Sequence, residues 1–160
     1  MKRKIFTLMA AAVILITASS RVSATAPCAS GSCVRLETIT ALEQQTADLI
    51  NRHRMQAGVA AAAVSSNLSA KARVKSRDMD SNNYFAHHSP TYGSPFALMR
   101  TLGIFYQSAG ENIAMGYHSA QDVVTAWLNS PSHKATMLSS RYDTLGIGYI
   151  NGYWTLWLIS

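Results

Sequence analysis

Two imidazoles and one carboxylate stand out as the groups able to do chemistry. His87 lies in Tyr84-Phe85-Ala86-His87-His88-Ser89-Pro90, Glu111 in Ser108-Ala109-Gly110-Glu111-Asn112-Ile113-Ala114, and His133 in Trp127-Leu128-Asn129-Ser130-Pro131-Ser132-His133. Glu111 sits among small and apolar residues, whereas most other acids here read as charges on helix surfaces. Two imidazoles with one carboxylate form a ligand set found at catalytic zinc sites, where an open position holds water. Their gaps of 24 and 22 residues match no metal-spacing motif. The plainer reading of Glu111 is structural. A buried carboxylate must be paired, and backbone N–H groups with an imidazole suffice to pin a loop. Ser130 beside His133 suggests a nucleophile and its base, but no glycine elbow surrounds the serine, which also ends a helix.

The elements that must position these groups begin after a targeting segment. Lys2-Arg3-Lys4, an apolar run from Ile5 to about Ala18 and the small residues that follow make residues 1–24 a secretory signal peptide. Val22-Ser23-Ala24 is the preferred cut, because a cut after Ala26 would leave Pro27 immediately behind it. The alternative is an uncleaved anchor, but the run falls short of the ~20 residues that a spanning helix needs. Removing Lys2, Arg3, Lys4 and Arg21 leaves ten basic against eight acidic residues, so most of the net +6 belongs to targeting. No basic stripe argues for nucleic acid, and no transmembrane segment is expected after cleavage. Residues 25–37 read as a loose, flexible leader carrying Cys28 and Cys33. Export makes a local disulfide plausible, with free thiols or intermolecular pairing as the alternatives.

One domain of sizeable core fits residues 38–160. Thr40-Ala41-Leu42-Glu43 reads as a capping box opening a helix whose apolar stripe is Leu42, Ala47, Leu49, Ile50 and Met55, stopped at Gly58. Val59 to Val64 is helix edge or strand. A second helix spans about Leu68 to Asn82, and a loop with His87, His88 and Pro90 follows. Ser94-Pro95 opens a short third helix with proline at its first position. Residues 104–117, which hold Glu111, are short and punctuated by glycine. Ser119 to Asp122 resembles a second capping box, for a helix facing Val123, Val124, Ala126 and Trp127 inward until Ser130-Pro131 breaks it. A helical turn then carries His133, Met137 and Leu138. The chain closes with β-prone runs 144–150 and 153–159 around Asn151-Gly152, a strong hairpin signal. Helices followed by a C-terminal hairpin make the class α+β. Trp127, Trp154, Trp157, Met79, Met99 and Met137 read as core. Asn51 and Arg54 read as scaffold, His88 and His118 as solvated, and His53 as a favourable charge at a helix C-terminus.

Taken in order, these segments resemble the bacterial, SCP-like branch of the CAP superfamily (cysteine-rich secretory proteins, antigen 5, pathogenesis-related 1). The resemblance rests on Leu49 to Arg54, Asp78-Met79, Tyr84 to Pro90, Ser94-Pro95-Phe96, Gly103-Ile104, Ala109 to Ala114, Val124 to Lys134, Gly146 to Tyr149 and Tyr153-Trp154-Thr155. It covers about residues 40–160 and implies a three-layer α-β-α sandwich. Animal and plant members place two histidines and two glutamates in a cleft, often with zinc. Only His87 and Glu111 match that tetrad. Ser130 stands where the second glutamate is expected, Tyr153 where the second histidine is expected, and Leu156 replaces the glutamine that follows. As in the bacterial branch, His133 offers a substitute imidazole.

The resemblance implies a ligand cleft of His87, Glu111, Ser130 and His133, with His87, Glu111 and His133 as the candidate zinc ligands. The first reading is a secreted, extracellular, non-enzymatic protein with no assigned catalytic residue. Its cleft would bind a metal, a small ligand or an extracellular partner. Lipid or sterol binding follows from the resemblance only weakly. A second reading is a zinc-dependent hydrolase or peptidase acting on secreted or cell-wall peptides, with Glu111 as ligand or as general base. A third is a structural surface or spore-coat component. Ligand identity and oligomeric state are not legible.

Overall fold

The computed structural model describes residues 38–160. The expected signal peptide, the leader and the pairing of Cys28 with Cys33 lie outside the described residues. The described chain runs α1 (Ala41–Gln56), β1 (Ala63–Val64), α2 (Ser66–Ser81), α3 (Pro95–Thr101), β2 (Ala109–Met115), α4 (Ala120–Asn129), α5 (Pro131–Met137), β3 (Thr144–Ile150) and β4 (Tyr153–Ile159). The strands form one sheet in the order β1-β3-β4-β2. β1 joins β3 in parallel, and the remaining pairs are antiparallel. Asn151 and Gly152 turn the hairpin with φ of +48° and +89°, the left-handed pair that a two-residue connection requires.

Strand alternation builds the three layers. Leu145 and Ile147 of β3 and Trp154, Leu156 and Leu158 of β4 join Ile50, Val123, Val124, Trp127 and Met137 in one core, beneath α1, α4 and α5. Trp157 faces the other way, into a core with Leu68, Ala72, Leu98 and Met99 from α2 and α3. Burying a tryptophan withdraws about 150–250 Å² from water, roughly 4–6 kcal/mol of gross transfer free energy. Along its middle, β3 offers the α2 side only Gly146 and Gly148. A Cβ at Gly148 would lie 2.3 Å from the backbone of Ala72 and Arg73, so glycine is what lets α2 rest directly on the strand.

The short β1 leaves donors on β3 to be satisfied otherwise. It pairs only with Thr144 and Leu145. Beyond it, the Ile147 N–H donates to Ser69 Oγ at 3.0 Å and the Tyr149 N–H to Glu43 Oε1 at 3.0 Å. Glu43 also completes the capping box with Thr40 and binds Arg73 at 2.6 Å. Burial alone would raise the Glu43 carboxyl. The bonds from Arg73, Thr40 and Tyr149 outweigh it and hold the group below its ordinary range.

Most expected elements are present, with corrections in detail. Met55 was assigned to the apolar stripe of α1, yet it is 60% exposed, while Glu43 and Arg54 are buried on that helix. Polar groups take those places because the sheet and its loops need their hydrogen bonds. Ala126 is only half-buried. The segment holding Glu111 is a full strand, β2, at the edge of the sheet. Its strand character comes from pairing with β4, since its own small residues and glycine carry little β-propensity. Among the described residues, no helix is long and apolar enough to cross a membrane.

Candidate functional site

The residues that the sequence marked gather around the edge strand β2. Glu111 is opposite Trp157 in the register and therefore shares the α2 face with it. The indole Nε1–H of Trp157 donates to Glu111 Oε2 at 2.7 Å, and His87 Nδ1 lies 2.7 Å from Glu111 Oε1. The Glu111 side chain is 2% exposed and that of His87 is 53% exposed. An ionised carboxylate can only accept, so it fixes the hydrogen on Nδ1 of the neutral ring and turns Nε2 outward as an acceptor.

The loop that delivers His87 is clamped from below. Lys75, fully buried on α2, donates to Ala86 O at 2.8 Å, His87 O at 3.0 Å and Tyr84 Oη at 3.0 Å. Burial lowers its pKa, an effect opposed by the nearby carboxylates of Glu111 and Asp78. Asp78 is the second clamp. It accepts from Ser89 Oγ at 2.7 Å, from Asn82 Nδ2 at 2.8 Å and from the Tyr84 hydroxyl. Burial would raise the Asp78 carboxyl, but the hydrogen bonds from Ser89, Tyr84, Thr91 and Asn82 together hold it below its usual value. Burial, followed by the bond to Asp78, pushes the Tyr84 phenol well above the usual tyrosine range.

Asn112 faces the opposite side of β2, as strand alternation requires. Its Nδ2 donates to the carbonyl of His133 at 2.9 Å, while its Oδ1 is buried without a partner among the described residues. His133 Nδ1 lies 2.9 Å from Ser130 Oγ. Ser130 is the N-cap of α5 yet makes no side-chain capping bond, so its hydroxyl is spent on the imidazole. Partial burial lowers the His133 pKa, and the nearby His87 lowers it further. Ser130 and His133 line a cavity of about 290 Å³ whose walls include Phe85, Ile113, Met115 and Trp127. Phe85 and Met115 are about half exposed there.

The four candidate residues thus form two hydrogen-bonded pairs, His87 with Glu111 and Ser130 with His133, near enough for His87 to act on His133. Glu111 commits one carboxylate oxygen to His87 and the other to Trp157, and His133 commits Nδ1 to Ser130. Among the described residues, no three His, Cys, Asp or Glu side chains form a group able to hold a metal ion. With both of its oxygens engaged, Glu111 would have to release a partner to ligate zinc, whereas Nε2 of His87 and of His133 makes no hydrogen bond among the described residues. Lys75, Asp78, Asn112 and Trp157 escaped the sequence reading. Their partners lie in the His87 loop, on α5 or on a neighbouring strand, and only the register of β2 against β4 brings Trp157 to Glu111.

Asn51 and Arg54 are scaffold, as expected. Asn51 brackets Ala62 with bonds of 2.8 and 2.9 Å. Arg54 donates to the carbonyls of Ala60, Met137, Ser139 and Tyr142.

Comparison with known proteins gives this geometry relatives. The model of the cysteine-rich secretory protein family matches residues 47–156. Bacillus subtilis YkwD is 39% identical over 139 residues, which is 86% of this chain and 54% of YkwD. The B. subtilis membrane protein YlbC is 38% identical over 116 residues, covering 72% of this chain and 34% of YlbC. The chain therefore spans about half and about a third of these two relatives. An extracellular protein containing an SCP domain from Bacillus anthracis superposes with a TM-score of 0.71 at 32% identity, over 73% of this chain and 39% of that one. An outer surface protein of Borrelia burgdorferi shares the fold, with a TM-score of 0.67 at 19% identity over 73% and 90% of the two chains.

Proposed function

The chain belongs to the cysteine-rich secretory protein (CAP) family, in its bacterial SCP-like form, and on that premise we propose a secreted protein that binds a small amphipathic ligand beside β2 without transforming it. The observation that carries this reading is the cavity lined by Phe85, Met115 and Trp127 with Ser130 and His133 at its polar side. Apolar walls with a few convergent polar groups are the usual composition of a ligand site. His133, kept neutral by its depressed pKa, offers a hydrogen bond without demanding a charged ligand. His87, held by Glu111 and near enough to act on His133, supplies a second polar group. An extracellular setting is supported by the basic and apolar N-terminus and by the extracellular B. anthracis relative.

Catalysis is disfavoured because both Glu111 oxygens are already engaged and Ser130 replaces the second carboxylate of the fuller family set. Titrating the full chain with octanol and following ¹⁵N and methyl NMR signals tests the binding reading. Saturable shifts at Met115, Trp127 and His133, weakened about tenfold in Met115→Gln, are expected. No shift at these positions would sink it. Zinc is the second probe. If zinc moves the imidazole signals of both His87 and His133 at micromolar levels, and His133→Ala abolishes this, the site is a metal site that rearranges on loading. A peptide-library digest with zinc supplied separates the enzyme reading: cleavage that disappears in Glu111→Gln would replace binding by hydrolysis.

A further inference from the structure

A second groove, of about 460 Å³, runs along the outer face of α4 and is lined by Tyr117, His118, Asp122, Thr125, Ala126 and Asn129 with Gly116. Tyr117 and Ala126 line both this groove and the His133 cavity, so the two are neighbours across a single ridge. Asp122, Thr125 and Asn129 are exposed and spaced three and four residues apart, which aligns them on one helix face.

The chemistry of the lining narrows the ligand. Neither hollow is lined by lysine or arginine, so nothing there recruits an anion. Asp122 already accepts from Ser119 Oγ at 2.6 Å through one oxygen, and it lies in the first turn of α4, where the helix dipole partly compensates its charge. Among the described residues, its other oxygen, the amide of Asn129 and the phenol of Tyr117 have no hydrogen-bond partner. An uncharged ligand with several hydroxyl or amide groups matches this mixture of donors and acceptors. An extended peptide matches less well. The outward carbonyls of the edge strand at Ile113 and Ala109 are already taken by Trp127 Nε1 at 3.2 Å and Tyr142 Oη at 3.3 Å. The strand therefore offers no continuous ladder for augmentation.

We propose that the α4 groove is a saccharide subsite that extends the His133 cleft. A neutral sugar with acetamido groups lies along α4, its hydroxyls on Asp122, Asn129 and Tyr117, and an apolar substituent crosses the Tyr117–Ala126 ridge toward Met115. The inference rests on the cleft reading above, because it uses the same cavity for the apolar end.

Titration of the full chain with triacetylchitotriose, followed by ¹⁵N NMR, tests it. Saturable shifts are expected at Tyr117, Asp122, Thr125 and Asn129, with further shifts at Met115. Asn129→Leu, at the C-terminal residue of α4 and away from its N-cap Ser119, should weaken binding about tenfold, and cellotriose, lacking the acetamido groups, should bind more weakly than the acetylated sugar. Absence of shifts along α4, equal binding to Asn129→Leu, or spermidine competing for the same residues would each overturn the proposal. Octanol distinguishes the two readings. If octanol still moves Met115 and His133 while the sugar moves nothing on α4, the subsite falls and the cleft stands; if neither ligand binds, both fall.

Discussion

Arg54 and His87 are both polar side chains tied to distant parts of the chain, yet they differ in what they leave unused. Arg54 is buried and spends Nε, Nη1 and Nη2 on four carbonyls, joining α1 to the loops after it and after α5. His87 is half-exposed and spends only Nδ1, leaving Nε2 without a partner among the described residues. The first is a knot in which every hydrogen bond is internal. The second is a group oriented by the chain and left open. Glu43, Lys75 and Asp78 fall with Arg54; His133, Asn129 and Tyr117 fall with His87. Saturation therefore separates scaffold from site here better than residue type does, since both sets contain charged and hydrogen-bonding side chains.

The contrast can be broken experimentally, beginning where the largest effect is expected. Arg54→Met should cost on the order of 3–5 kcal/mol in chemical denaturation, because it strands buried carbonyls; a loss below 1 kcal/mol would show that the knot does not hold the fold. Gly148→Ala should cost about 1–3 kcal/mol by pushing α2 off the sheet, by analogy with overpacked cores. Glu111→Gln belongs to both classes. It should destabilise by about 1–2 kcal/mol through the lost charge-assisted bonds to His87 and Trp157, and the His87 ring signals should broaden. An unchanged His87 spectrum would mean that Lys75 alone seats the loop. At the small end, Asn129→Leu should alter stability by less than about 0.5 kcal/mol while changing ligand binding.

Acid sharpens the same comparison. Both His133 and Glu43 have native pKa values lowered from their ordinary 6.5 and 4.5. In each case the unfolded chain binds the proton more readily, so stability falls as pH falls. The windows differ. Stability should first decline as pH drops below about 6.5, as the unfolded chain protonates at His133, and again below about 4.5, as the unfolded chain protonates at Glu43 while the native carboxylate still holds its bonds to Arg73 and Tyr149. His133→Asn should flatten the first limb, and Glu43→Gln should shrink the second, to which Asp78 also contributes, read as urea midpoints across pH.

Legibility followed how local the signal was. The capping box at Thr40, proline at the start of α3 and the Asn151-Gly152 turn act over two to four residues, and each is found where the sequence placed it. β1 is ambiguous in the sequence, and β2 is not legible there as a strand. Two residues are too few to show a period, and Ala109 to Met115 becomes a strand through its partner. His87 and Glu111 were expected to meet, and they do. That expectation came from likeness to a family, since a separation of 24 residues implies no contact by itself.

By itself, then, the sequence determined the helices, the terminal hairpin and the residue types available for a site, because caps, turns and alternating apolar positions act through neighbouring residues. Tertiary structure alone decided which of those residues are spent and which are open. By placing β2 at the sheet edge, it sent Glu111 to one face and Asn112 to the other. The consequence is a His87 seated by Glu111 and a His133 seated by Ser130, near enough for the charge of one imidazole to act on the other.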